Sequence, residues 1–182
     1  MKLIGLTGPA GSGKDTVADI LCEQHGYTRL ALSDPLRDGL KAMLGLTENQ
    51  FHDRTIKETP IGWIGQSPRQ LLQTLGTEWG RHHVADDLWL RVANQRIADI
   101  ANHWEYITGI VITDIRFPNE AAWLAERGGQ LWHIDRPSAG LNGRAGQHAS
   151  EAGLDRKPED RIIRNLFTLD ALESIVAEAL EA

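Results

Sequence analysis

The stretch Gly8-Pro9-Ala10-Gly11-Ser12-Gly13-Lys14 constrains this chain more than any other. It satisfies the G-x-x-x-x-G-K pattern of a phosphate-cradling loop. Glycine lets the backbone curl so that successive N–H groups point inward, and a helix starting there adds the positive end of its dipole. The flanks fit this reading. Residues 2–7 read as a short buried strand, and Lys14 to His25 as a helix with Val17, Ile20 and Leu21 on one face and Gly26 as its stop. Gly8, Gly11, Ser12, Gly13 and Lys14 are therefore expected to hold nucleotide phosphates, with Lys14 as a flexible cation for the β- and γ-phosphates. One departure matters. The pattern wants Ser or Thr after the lysine to bind Mg²⁺, and this chain has Asp15 followed by Thr16. A carboxylate oxygen is a good hard ligand, so either Asp15 or Thr16 could serve the ion.

The rest of the chain alternates strands and helices. Residues 27–32 read as a strand and Asp34–Leu44 as a helix, with Leu36, Leu40 and Met43-Leu44 on one side. Residues 45–67 are irregular and predict loops with short helical pieces. Ser67-Pro68 opens a helix, with Ser67 as N-cap and residues 69–76 continuing it. Asp86 or Asp87 caps another helix that reaches about His103. Residues 109–113 form a continuous apolar run, the pattern of a strand buried on both faces. A helix over 118–127, strands over 130–134 and 161–165, and an amphipathic helix over 170–181 complete the reading, the last with an Asp170/Glu173 capping box. Residues 136–150 are glycine-rich and basic, which suits a mobile loop. This order predicts a parallel sheet covered by helices on both faces.

With 182 residues, 41% of them apolar, the chain is long enough for one α/β domain with a packed core. The formal net charge of -6 argues against a nucleic-acid-binding surface but not against a small anionic ligand held by local arginines. The single Cys22 excludes an intrachain disulfide and a cysteine-based zinc site, which fits a reducing cytoplasm. No apolar run approaches the roughly 18 residues of a membrane span, and the N-terminal apolar run is too short for a signal peptide.

A phosphate loop needs a second acidic residue at the end of a neighbouring strand to hold Mg²⁺. Asp114 stands there, and Arg116, two residues on, would face the same crevice. Phosphorylating a phosphate calls for no strong base, because the attacking oxygen is already anionic; it calls for positive charge against donor–acceptor repulsion. Arg37, Arg69, Arg81, Arg116, Arg136 and Arg144 lie near predicted strand ends and loops. Trp79 and Trp89 could stack on a base, whereas Trp123 and Trp132 read as packing residues. Adjacent His82-His83 point different ways on a helix and do not make a metal site.

Four segments in order resemble the bacteriophage deoxynucleoside monophosphate kinases. They are Gly13-Lys14-Asp15-Thr16; residues 67–81, running Ser-Pro-Arg-Gln-Leu-Leu-Gln-Thr-Leu-Gly-Thr-Glu-Trp-Gly-Arg; Thr113-Asp114-Ile115-Arg116-Phe117-Pro118-Asn119-Glu120; and His148-Ala149-Ser150-Glu151. The lysine–aspartate variant of the loop is part of that resemblance. It implies a P-loop NTPase three-layer sandwich: a five-stranded parallel sheet, a helical acceptor-binding insertion over 34–104 and a lid over 136–151, all in one kinase domain. By the same resemblance, Ser33, Asp34, Arg37, Arg69, Gln73, Glu78, Trp79, Arg81, Trp89, Arg116, His148 and Glu151 would lie toward the acceptor deoxynucleotide. Arg136 or Arg144 would reach the transferred phosphoryl group, and Asn165 would lie near the adenine of ATP. Lys14, Asp15, Asp114, Arg116, Arg136 and Arg144 form the expected catalytic set, with Asp15, Thr16 and Asp114 around Mg²⁺.

The expected reaction is ATP + dNMP → ADP + dNDP, with small-molecule nucleotides as partners, no nucleic acid or membrane, and homodimerisation as a family-style expectation. The expected location is the cytoplasm, that of the host if the chain is phage-encoded. The nearest alternative is another small-molecule P-loop kinase, such as a dephospho-coenzyme A kinase-like enzyme; a nucleotide-binding switch protein is a more distant one.

Overall fold

The computed structural model describes residues 1–103, 106–137, 139, 148–166 and 168–181. Its centre is a five-stranded sheet built from β1 (Lys2–Thr7), β2 (Tyr27–Leu30), β3 (Gly109–Ile112), β4 (Gln130–Asp135) and β5 (Arg161–Arg164). All pairings are parallel and the spatial order is β2-β3-β1-β4-β5. A parallel strand buried on both faces needs no polar alternation, which is why the runs Leu3–Leu6 and 109–112 are uniformly apolar and buried.

Two compact units divide the chain: Met1–Ala31 with Ala93–Ala182, and Leu32–Val92. In the first, Ile4 and Leu6 of β1 pack with Val17 and Leu21 of helix α1 (Lys14–His25), Trp132 and Ile134 of β4, and Leu172 and Val176 of the last helix. Each such side chain taken from water contributes ~1.5–3 kcal/mol. Gly5 points the other way. A Cβ there would lie 2.5 Å from Leu124 of the helix Pro118–Glu126, so glycine is what lets that helix close on the sheet. The predicted core tryptophans Trp123 and Trp132 are buried.

The second unit holds α2 (Asp34–Leu44), the short helices α3 (Asn49–His52) and α4 (Arg54–Glu58), and α5 (Pro68–Gln73). Leu40, Leu46 and Phe51 form its core, flanked by Leu71, Leu72 and Leu75. The Ser67 hydroxyl accepts from the backbone of Gln70 while the Gln70 side chain accepts from that of Ser67, a reciprocal cap. The helix does not stop near residue 76. It continues as a π-helix over Thr74–Val84, with Gly76, Thr77, Gly80 and Arg81 buried and Ala85 N donating to Gly80 O, five residues back, at 3.0 Å. Gly80 is required there, because a Cβ would meet the Trp89 indole at 2.5 Å.

Helix α6 (Leu88–His103) runs across the boundary between units, with the Asp87 carbonyl accepting from Arg91 at 3.0 Å as its first bond. In the first unit, α7 is Pro118–Glu126 and α8 is Leu169–Glu181. The Asp170 cap is corrected: α8 starts one residue earlier, and Thr168 Oγ accepts from Ala171 N at 3.4 Å, so Asp170 sits inside the first turn. Trp104 and most of the basic loop, Arg144 included, lie outside the described residues. Among the described residues, no helix is long and apolar enough to cross a membrane.

Candidate active site

The loop between β1 and α1 is held from both sides. Gly8, Gly11 and Gly13 have φ of 141°, 79° and 101°, all in the left-handed half of the map. Ser12 N donates to Pro9 O at 3.1 Å, and Val17 N to Gly13 O at 3.0 Å, which starts α1. From beyond β5, Asn165 donates its backbone N–H to Asp135 O and its side-chain Nδ2 to Ser12 O, both at 2.9 Å. The Asn165 amide, expected near adenine, thus touches the loop backbone itself. The Ser12 hydroxyl is fully buried, and its oxygen has no hydrogen-bond partner among the described residues. A buried orphan hydroxyl costs stability unless something fills its bond. Together with the inward curl of the glycines it fits a phosphate oxygen.

Gly13→Ala tests the cradle. An alanine at φ 101° is strained by ~1–2 kcal/mol, and its Cβ would lie 2.2 Å from Asn165 Nδ2. The Asn165–Ser12 bond should break and ATP affinity should drop about tenfold or more. Unchanged affinity in a nucleotide titration would remove the loop from the binding site.

Lys14 folds back over the loop, donating from Nζ to Gly8 O at 2.7 Å and Pro9 O at 3.0 Å. Burial lowers its pKa from 10.5 to about 8; Arg116 pushes the same way, while Glu151, Asp15 and Asp114 oppose. Lys14, Asp15, Asp114, Arg116 and Glu151 therefore sense one another electrostatically. A cavity of about 250 Å³ joins Lys14, Arg116 and Glu151: Thr7, Gly8, Pro9 and Lys14 line one side, and Arg116, Glu151 and Arg156 are among the residues that complete it.

Arg116 is fixed at both ends. Its backbone N–H donates to Glu120 Oε2 at 2.6 Å, and Phe117 N donates to the same oxygen at 3.1 Å; Glu120 is the buried acid in the first turn of α7. Its Nη1 donates to Ser150 O at 3.0 Å and pairs with the Glu151 carboxylate. His148 Nδ1 accepts from Ser150 N at 3.1 Å and caps the short 3₁₀ turn Ala149–Glu151. Arg136 is exposed just past β4.

Asp15 is exposed beside the loop, and Asp114 stands half-buried in the turn after β3. Among the described residues, no group of three or more His, Cys, Asp or Glu side chains gathers. Mg²⁺ asks for less: one or two carboxylates, with substrate phosphate and water completing its shell. Asp15, Thr16 and Asp114 fit that demand.

In the second unit, Arg69 is buried and paired with Glu58, and Arg81 donates to Asp86 O at 2.8 Å and to Asp86 Oδ1 at 3.1 Å. Arg37 lies 3.6 Å from Asp34, next to Ser33 at the head of α2. Trp89 Nε1 donates to Gly76 O at 2.7 Å, which fixes the ring, and Trp79 lies against it at 6.4 Å between centroids, tilted 44° and half-exposed. Gln73 ends α5, and Glu78 lies half-buried on the π-helix. Sequence reasoning named neither Glu58 nor Arg156, and it did not foresee Asp86's pairing with Arg81, Glu120's hold on the Arg116 backbone or Asn165's grip on Ser12. Glu120 was the most accessible, since an acid three residues after a helix start is a capping signal.

A parallel sheet in this order, a glycine loop at the end of β1 and a cavity that sets Lys14 beside Arg116 define a P-loop phosphotransferase. Residues 64–176 match the deoxynucleotide monophosphate kinase family, and the chain belongs to that family. A protein of Acanthamoeba polyphaga mimivirus is 32% identical, over 100% of this chain and 97% of its own. The deoxynucleoside-5'-monophosphate kinase of Escherichia phage T5 is 27% identical, over 85% of this chain and 86% of its own. Among solved structures, TT1252 from Thermus thermophilus shares the fold, with a TM-score of 0.59 and 21% identity, over 99% of this chain and 96% of that one.

Proposed function

We propose that this enzyme transfers the γ-phosphoryl group of ATP to the phosphate of a deoxynucleoside monophosphate. The observation that carries the reading is the single cavity lined by both Lys14 and Arg116, one cation for the donor and one for the acceptor. Phosphoryl transfer needs positioning and charge neutralisation more than bond-making groups from the protein. The loop amides and Lys14 hold the donor phosphates in place. Arg116 anchors the acceptor phosphate. Trp79 and Trp89 offer an aromatic surface for the base. Arg136, exposed just past β4, meets the transferred group; Arg144, the other arginine expected there, lies outside the described residues. Asp15 or Thr16, with Asp114, holds Mg²⁺, which when bound neutralises phosphate charge.

The test is to incubate the protein with ATP and Mg²⁺, adding each deoxynucleoside monophosphate, each ribonucleoside monophosphate and dephospho-coenzyme A separately, and to measure ADP and product. Rapid dNDP formation is expected. Turnover of dephospho-coenzyme A alone, or ATP hydrolysis indifferent to any acceptor, would replace this reading.

A pH dependence follows from Lys14. A polyphosphate stabilises the charged form of the ammonium, so binding favours the protonated side chain. In metal-free solution, ATP affinity should stay level below about pH 8 and then fall up to about tenfold per unit above it. A flat profile to pH 10 would mean that Lys14 does not meet the phosphates.

A further inference from the structure

We infer that Glu151 is a positioning residue: it holds one edge of the Arg116 guanidinium so that the other edge is presented to a phosphate, and it does not itself touch the substrate. This rests on the reading of Arg116 as the acceptor-phosphate anchor. Four observations carry it.

First, both acceptors of the turn, Ser150 O and the Glu151 carboxylate, converge on one nitrogen, Nη1 of Arg116. Nη2 and Nε are given to no acceptor among the described residues. A guanidinium is a rigid planar fork, so fixing one nitrogen fixes the direction of the remaining donors. Second, the burial is unequal. The Glu151 side chain is 8% exposed and that of Arg116 is 32% exposed. The acid is the more buried side chain of the pair.

Third, the turn is built for this contact. His148 Nδ1 accepts from Ser150 N, Ser150 Oγ lies 2.9 Å from the same ring nitrogen, and Glu151 N donates to His148 O at 2.8 Å. These bonds lock Ala149–Glu151 so that a carbonyl and a carboxylate face the same way. With Glu120 holding the Arg116 backbone from α7, the residue is constrained at both ends. Fourth, Lys14 and Arg116 line one cavity, and two cations side by side repel. Glu151 offsets that repulsion in the protein. A bare carboxylate would repel a phosphate, but Glu151, although it lines the same cavity, has its charge engaged by the Arg116 guanidinium.

The decisive experiment is a double-mutant cycle on the full chain with Glu151→Gln, Arg116→Ala and the double variant, and Glu151→Asp as the conservative control. Steady-state kinetics would vary dNMP and ATP separately. Glu151→Gln should raise the KM for dNMP about tenfold or more and lower kcat, with the KM for ATP nearly unchanged. Glu151→Asp, which keeps the charge, should recover part of the loss. In the Arg116→Ala background, Glu151→Gln should add nothing further. Losses that multiply in the double variant would show that Glu151 acts on the substrate or fold independently, and would overturn the inference. So would a Glu151→Gln enzyme equal to the parent.

Inorganic phosphate binding, followed by calorimetry on the same proteins, reads the Arg116 edge without turnover. If the parent phosphorylates no dNMP but phosphate binding shows the same non-additive pattern, the acceptor reading falls and the Glu151 inference stands. Additive losses in phosphate binding would overturn it.

Discussion

Replacing Lys14 with alanine is expected to lower phosphoryl transfer by at least about 10³-fold, on the scale of losing a donor that stabilises transition-state charge, while leaving the protein as stable at pH 7 or more so. The two halves of this result have different causes. Transfer is lost because no other cation lies on the phosphate loop itself; Arg116 stands across the cavity on the turn after β3. Stability is kept because other bonds hold the loop when the ammonium's two bonds to Gly8 O and Pro9 O are lost. Gly13 caps α1, Val17 N bonds Gly13 O, Ser12 N bonds Pro9 O, and Asn165 bonds Ser12 O without it.

Stability can also rise. The Lys14 pKa is lowered to about 8 from 10.5, chiefly by burial and then by Arg116, so the folded protein tolerates the charge less well than the unfolded chain does. The unfolded chain therefore binds more protons between about pH 8 and 10.5, and this group's contribution to stability improves as pH rises through that window. Below about 8 its cost is fully present, and alanine removes it. The check is thermal melting from pH 7 to 11. The variant should match or exceed the parent at pH 7, and any advantage should fade toward pH 11. A variant that melts well below the parent at pH 7 would give Lys14 a structural role instead. Near-normal turnover in a folded variant would sink the phosphate-loop assignment outright. A functional side chain held at some expense to the fold is the usual sign of a working site.

What could be read from the residues depended on how local the signal was. The strands were legible because a buried parallel strand is a short apolar run, and β1, β3 and β4 are such runs within a residue of their observed ends. The phosphate loop was legible because backbone curling demands glycine at fixed spacing, and three glycines with positive φ occupy those places. The placement of Asp114 and Arg116 just past an inner strand also followed from position.

The π-helix over Thr74–Val84 was not legible. Its buried positions Gly76, Thr77, Gly80 and Arg81 are spaced as an α-helix would space them, and the wider turn shows in a five-residue hydrogen bond such as Ala85 N to Gly80 O. The partners of the buried arginines were hidden for a related reason. Glu58 reaches Arg69 across eleven positions and a loop, which no helical or strand period connects. Asn165 grips Ser12 from 153 residues away, because β1, β4 and β5 run parallel and so end on the same carboxyl side of the sheet. The His133–Asp160 pair, at 2.9 Å with both side chains buried, is likewise a product of topology: it ties the segment after the 3₁₀ turn to β4. Composition and spacing reached the loop and the fold, and the pairing of charges had to wait for the sheet order.

Removing the Arg116 guanidinium should separate catalysis from stability in the opposite sense to Lys14→Ala. For Arg116→Ala, kcat/KM for the deoxynucleoside monophosphate should fall about 10³-fold or more, the scale of losing an arginine that neutralises a transferring phosphoryl group. The KM for ATP should change far less, since the loop amides and Lys14 remain. Unlike the lysine, this cation has a buried partner that depends on it. Glu151, with its side chain 8% exposed, would lose the guanidinium that pairs with it, leaving the Lys14 ammonium as the cation that senses it. Breaking a fully buried pair by removing one member costs ~3–5 kcal/mol, and since Arg116 itself is about a third exposed the cost here should be nearer 2 kcal/mol. That amounts to several degrees of melting temperature for a chain of this size. Adding Glu151→Gln to Arg116→Ala removes the stranded charge, so the double variant should regain most of the lost stability and none of the lost activity. Calorimetric melting beside the coupled ADP assay measures both. If the double variant melts no higher than Arg116→Ala alone, the pair is not what holds the turn at Ala149–Glu151. If Arg116→Ala keeps its activity toward dNMP, the acceptor phosphate is anchored elsewhere, and the buried arginines of the second unit, Arg69 and Arg81, become the residues to replace next.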